Sequence, residues 1–134
     1  MSVIVDASVA VKWFAAEDGS ARAEALFEHE DELTAPDLIL VEVGNAMWKK
    51  FRKGWLTNDQ VTAAMERLPY YFDRTIATAE LASRATALAL LLDHPIYDCL
   101  YLASAERERL PIVTADDRLL ALAARFGKVD ARRL

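Results

Sequence analysis

Two short runs of β-branched residues constrain this chain more than any other feature. Val3-Ile4-Val5 runs directly into Asp6, and Ile112-Val113-Thr114 stops one residue short of Asp116. A strand with one face in water alternates apolar and polar residues, whereas a run with almost no alternation fits a strand covered on both faces. Between the two runs the chain switches repeatedly between strand and helix patterns. Strands are predicted at 2–5, 33–35 (closed by Pro36), 71–75 and 111–114, with a last edge strand at 127–130. Helical spacing starts at Ala7, anchored by Val9, Trp13 and Phe14, and resumes after Gly19-Ser20 over 21–30. A helix over 38–52 has Asp37 as its cap and Gly54 as its stop, and one over 60–68 follows Thr57-Asn58-Asp59 and ends at Pro69. Further helices are predicted over 78–92, closing near His94-Pro95, then 97–109 and 116–126. Strands alternating with helices predict an α/β fold, with a parallel sheet covered by helices on both faces.

No repeat, low-complexity tract or linker divides the 134 residues, so positions 1–134 read as a single domain. A hydrophobic content of 54%, with four glycines and four prolines, is that of a compact globule and excludes a disordered or fibrous chain. Cys99 is the only cysteine, so no disulfide forms within the chain and the fold does not need an oxidising compartment. The apolar start, Met1 to Phe14, is broken by Asp6 and Lys12 and lacks the basic segment of a signal peptide. The apolar run Ala85 to Leu92 is far shorter than the roughly 20 residues of a membrane span. These features predict a soluble, cytoplasmic protein.

The formal net charge of −5 argues by itself against a nucleic-acid partner, because phosphate contacts need Lys and Arg. Two features weigh the other way. An acidic metal site would account for part of the negative count, and bound cations would reverse its local sign. There is also a basic run, Lys49, Lys50, Arg52 and Lys53. It suits a solvated helix C-terminus favoured by the helix dipole, and it suits a nucleic-acid patch.

In an open parallel sheet, ligands bind beyond the carboxyl ends of the strands. Asp6 and Asp116 stand where two strands end, and both strands are apolar enough to be central neighbours. Asp6, Asp98 and Asp116 each also stand at the start of a helix, where Asp is a preferred cap, so any one of them alone fits a cap as well as a ligand. Glu42 lies in Leu38-Ile39-Leu40-Val41-Glu42-Val43-Gly44-Asn45-Ala46-Met47-Trp48, apolar nearly all round, which predicts a buried helix. A carboxylate there is costly unless it is paired with Arg or Lys or holds a metal. Asn45, three residues on, shares its face. Asp98 is the only charge in Ile96-Tyr97-Asp98-Cys99-Leu100-Tyr101-Leu102-Ala103, where Cys99 reads as a small buried hydrophobe. His29 and His94 match no zinc spacing and read as structural or exposed. A set of carboxylates alone selects a hard cation, Mg²⁺ or Mn²⁺. Without metal, clustered acids repel one another.

Four segments carry a resemblance: Val5-Asp6-Ala7-Ser8, Glu42-Val43-Gly44-Asn45, Tyr97-Asp98-Cys99-Leu100-Tyr101-Leu102-Ala103 and Val113-Thr114-Ala115-Asp116. In this order and at this chain length the sequence resembles the PIN-domain family, and within it the VapC-type toxins of bacterial toxin–antitoxin pairs. The resemblance implies a three-layer α/β/α fold around a parallel sheet. It implies that Asp6, Glu42, Asp98 and Asp116 converge on one or two Mg²⁺ or Mn²⁺ ions, with Ser8, Asn45 and Thr114 orienting carboxylates or water. It further implies endonucleolytic hydrolysis of RNA, a cognate antitoxin as partner and a homodimer. The family pattern favours Asp116 over its neighbour Asp117.

Three other readings compete. A receiver-type Mg²⁺ domain would need an acidic neighbour for Asp6 and a Lys after the late strand, and neither is present. A catalytically inert RNA- or partner-binding module need not keep all four acids. A DNA nuclease is not separated from a ribonuclease by acids alone, since that choice rests on groove shape and contacts to the 2′-hydroxyl.

Overall fold

The structure, a computed structural model, describes residues 1–30 and 32–134. Its strands are β1 (Val3–Val5), β2 (Leu33–Pro36), β3 (Arg74–Ile76), β4 (Ile112–Thr114) and β5 (Ala131–Arg133). They form one wholly parallel sheet in the order β3-β2-β1-β4-β5. The helices are α1 (Ala7–Ala10), continued by a 3-10 turn over Val11–Trp13, then α2 (Ser20–His29), α3 (Leu38–Arg52), α4 (Asn58–Arg67), α5 (Thr78–Leu92), α6 (Ile96–Glu108) and α7 (Asp117–Phe126). None among the described residues is long and apolar enough to cross a membrane.

Side-chain alternation along β1 divides the core in two. Val3 and Val5, with Val113 of β4, pack on one face against α1 to α4, while Ile4 and Ile112 pack on the other against α5, α6 and α7. The result is the expected three-layer sandwich. Ile4 is fully buried, so truncating it to Ala costs about 2–5 kcal/mol.

Two expected strands moved. The aromatic run Tyr70-Tyr71-Phe72 has strand propensity, but Leu68–Tyr71 forms a 3-10 turn with Pro69 in its first positions. Proline presets the φ such a turn needs, and Trp13 holds Tyr71 and Phe72 by ring contacts at 5.5 and 5.6 Å. The strand therefore starts only at Arg74. The edge strand predicted at 127–130 lies instead at Ala131–Arg133, because the chain first turns through Gly127, whose φ of 75° caps α7, before Ala131 pairs with Ile112.

Two further expectations changed. Helix α3 is not buried all round: Ile39, Val43 and Met47 enter the core at four-residue spacing, while Val41 and Trp48 are 69% and 49% exposed. Asp37 precedes α3 without a side-chain cap bond and instead accepts from the Thr78 N–H at 2.9 Å, capping α5 from across the sheet. Thr57 does cap α4, in a reciprocal capping box with Gln60.

For function the topology matters most at β1. The chain proceeds from β1 to β2 on one side, and β4 joins β1 on the other. The sheet order reverses there, and such a switch point opens a crevice beyond the carboxyl ends of the two strands.

Candidate active site

Asp6 leaves β1 at this switch point and is only 5% exposed. The Ser8 hydroxyl donates to Asp6 Oδ1 at 2.7 Å and the Thr114 hydroxyl donates to Oδ2 at 2.9 Å. Each hydroxyl has spare acceptor capacity, and the loop after β4 fills it. The Ala115 N–H donates to Ser8 Oγ and the Asp116 N–H to Thr114 Oγ1, both at 2.9 Å. Two hydroxyls, from α1 and β4, and two backbone N–H groups of the loop after β4 thus lock one carboxylate in place. Asp6 stands at the N-cap of α1 without a side-chain cap bond; the Val9 N–H only adds a small pull on its carboxylate beside those of Ser8 and Thr114. Burial pushes its carboxyl up to about 6; Ser8 and Thr114 pull against that rise, and the nearby Asp116 charge adds to it.

Asp116 does cap α7, accepting from the Arg118 N–H at 2.8 Å. Its other oxygen lies 3.5 Å from the Arg118 guanidinium. Asp117 turns outward to Arg133, so Asp116 is the one that shares the corner with Asp6.

The other two acids come from helices. Glu42, on α3, accepts the Tyr101 hydroxyl of α6 at 2.6 Å. Burial pushes the Glu42 carboxyl up; the Tyr101 bond opposes this, Asp98 reinforces it and Arg118 opposes it. Tyr101 is itself buried, and burial together with Glu42 holds its phenol well above the ordinary value, so it stays protonated and donates. Asp98, in the first turn of α6, has His94 Nε2 at 2.8 Å and Arg118 Nε at 3.3 Å from the same oxygen. Asn45 is exposed and makes no side-chain hydrogen bond among the described residues, so it does not orient Glu42 here.

Arg118 therefore joins the halves: its guanidinium meets Asp98 on one side and Asp116 on the other. The four acids lie on one electrostatic network, with Asp6 coupled to Asp116 and Glu42 to Asp98. They do not share one coordination sphere as they stand. Among the described residues, no group of three or more His, Cys, Asp or Glu side chains is placed to hold one ion. Like charges with one arginine between them stand apart. The donor chemistry still fits a hard divalent cation, since oxygen ligands arrive from β1, α3, α6 and the β4 end, and the Cys99 thiol is buried.

A PIN-domain family model matches residues 3–125. The chain belongs to the PIN-domain family. Ribonuclease VapC3 of Pyrobaculum aerophilum is 34% identical over 121 residues, covering 89% of this chain and 92% of that relative. Among solved structures, PAE2754 from the same organism has a TM-score of 0.75 at 23% identity, covering 98% of this chain and 89% of that one. A toxin–antitoxin complex from Klebsiella pneumoniae contains a chain with a TM-score of 0.66 at 19% identity, covering 89% of this chain and 90% of that one. At such identities the structural likeness speaks for the fold.

Three groups at this PIN-domain crevice are not assigned to it by the sequence. Tyr101 stands three residues after Asp98 on the same helix face, a spacing that signals a shared site. His94, read as structural or exposed, stands four residues before Asp98 and contacts it. Arg118 stands two residues after Asp116, in the first turn of α7. The visible signal in each case was proximity to a named acid.

Proposed function

We propose that this PIN-domain chain is a Mg²⁺- or Mn²⁺-dependent endoribonuclease, the toxin of a toxin–antitoxin pair. The observation that carries the reading is the corner at the switch point. A buried carboxylate, Asp6, is aimed by two hydroxyls beside a second acid, Asp116, and no basic side chain among the described residues is bonded to Asp6. Likeness to Ribonuclease VapC3 supports ribonuclease chemistry, and likeness to a toxin–antitoxin complex supports the antitoxin partner.

Asp6, Glu42, Asp98 and Asp116 would hold the cation. When bound, it polarises a phosphoryl oxygen and lowers the pKa of a water for attack on phosphorus. The chain's own groups do the positioning. Ser8 and Thr114 fix both oxygens of Asp6, so its lone pairs point one way before any substrate arrives. Tyr101 holds one oxygen of Glu42, and His94 one oxygen of Asp98. Arg118, with a side chain 69% exposed, is free to leave its acids and meet a phosphate. A homodimer is part of the same reading, supported by the exposed apolar side chains Leu90 and Leu91 of α5.

The test is incubation of purified protein with structured RNA in Mg²⁺ or Mn²⁺, then in EDTA, beside Asp98→Asn. Cleavage needs metal, and the variant loses more than the roughly hundredfold typical of an outer hydrogen-bond partner, while its circular dichroism is unchanged. Cleavage by Asp98→Asn at the wild-type rate overturns the site, and retention of RNA without cleavage under any metal favours the inert binding module.

A further inference from the structure

We infer that the groove beside the Asp6 corner binds an unpaired stretch of the RNA next to the scissile phosphate, with Lys49 and Lys53 on phosphates and Trp55 stacked on a base. The inference rests on the ribonuclease reading above and names a substrate-binding surface for it.

A cavity of about 360 Å³ lies between α1, the C-terminal turns of α3 and the loop after β4. Ser8 and Ala115 line it, and these are the residues whose hydroxyl and N–H hold Asp6 in place. The groove therefore borders the acid corner. The rest of its lining includes Lys12, Lys49, Lys50, Lys53 and Trp55, against one acid, Glu17. In a chain of net charge −5, four lysines facing one glutamate are a local reversal of sign. Lys12 and Lys50 both pair with Glu17, at 3.2 and 2.8 Å. Lys49 and Lys53 are exposed and form no ion pair among the described residues. Their charge is available to a polyanion.

The helix dipole explains basic residues at the end of α3, but not the turn and the indole beyond them. Gly54, at φ +77°, breaks the helix, and the Trp55 N–H turns back to the Lys50 carbonyl at 3.0 Å. That turn brings the indole against Lys53 Nζ at 4.6 Å and Lys50 Nζ at 5.5 Å from the ring centroid. The indole is nevertheless 64% exposed. An exposed aromatic ring flanked by ammonium groups is the stacking-plus-phosphate combination that single-stranded nucleic acid uses. Duplex RNA offers no free base face to such a ring, which selects an unpaired strand.

The experiment is fluorescence anisotropy of a fluorescein-labelled twelve-residue oligouridylate, with the protein in EDTA so that nothing is cleaved. Trp55→Ala is expected to weaken binding about tenfold, and Trp55→Phe to restore most of the loss. Lys49→Ala combined with Lys53→Ala is expected to flatten the plot of log affinity against log salt by roughly 1.4. All these side chains are exposed, so the variants should keep their circular dichroism and melting temperature. Wild-type affinity in Trp55→Ala, an unchanged salt slope in the double variant, or equal losses on duplex RNA each overturn the proposal. Displacement of the RNA by poly-glutamate at equal charge also overturns it and points to an acidic protein segment instead. Binding is read without metal, so absent cleavage in Mg²⁺ would count against the ribonuclease reading and leave this result standing.

Discussion

Asp6 and Asp98 are carboxylates on one network, yet opposite kinds of partner hold them. Asp6 is buried at the sheet end and accepts two neutral hydroxyls, each fixed by a backbone N–H behind it. Asp98 is on a helix, half-buried, and faces a histidine and an arginine. Hydroxyl donors fix geometry without supplying charge, while Arg118, 69% exposed, supplies charge from the solvent side. The rigid half of the site is thus the half whose charge is unbalanced.

The largest expected effect concerns that imbalance. Folding raises the Asp6 carboxyl from 3.8 to about 6, so the folded protein keeps a proton that the unfolded chain releases. Its stabilising contribution is complete below about pH 4 and is lost as pH rises through about 6, by a difference on the order of 3 kcal/mol. Urea midpoints in EDTA at pH 4.5 and 7.5 should therefore differ less in Asp6→Asn than in the wild type. The Glu106 and Glu108 ion pairs push the profile the other way and cancel between the two proteins. Identical pH profiles would remove the imbalance from the comparison.

A smaller effect should come from the hydroxyl side. Thr114→Val keeps the shape of the side chain but leaves Asp6 Oδ2 and the Asp116 N–H unpaired, at a cost of about 1–3 kcal/mol in equilibrium unfolding. A neutral result would show that water or a rearranged loop replaces Thr114. The smallest belongs to the arginine side. Arg118→Gln should change stability by less than about 1 kcal/mol, because the side chain is 69% exposed. It should nonetheless tighten Mn²⁺ binding in titration calorimetry, since it removes a competing cation from between Asp98 and Asp116. Weaker Mn²⁺ binding would mean that Arg118 organises the acids rather than competing for them.

Much of this arrangement could be read along the chain. β1 and β4 announce themselves by β-branched runs, and their adjacency places Asp6 beside the end of β4. The capping box at Thr57, the stop at Gly54 and the burial of Cys99 follow from local chemistry. What local chemistry does not carry is a partner far along the chain. Tyr101 lies 59 residues from Glu42, and Thr78 lies 41 from the Asp37 that caps its helix. β3 went astray because Pro69 and the Trp13 ring, not strand propensity, decide what Tyr71 does. The burial of α3 was overestimated because an apolar sequence does not show which face meets solvent, and Val41 and Trp48 meet it.

The position of the crevice at the switch point has a consequence for the life of the molecule. Its acids arrive on β1, α3, α6 and the end of β4, with Asp6 and Asp116 hydrogen-bonded into one corner although Thr114 and Asp6 are 108 residues apart. Domains form as units while the N-terminal part emerges first from the ribosome. Until residue 116 has been translated, no nascent chain holds the corner that Thr114 and Asp116 complete. For the nuclease proposed above, the order of the strands thus withholds the acid corner until synthesis is well advanced.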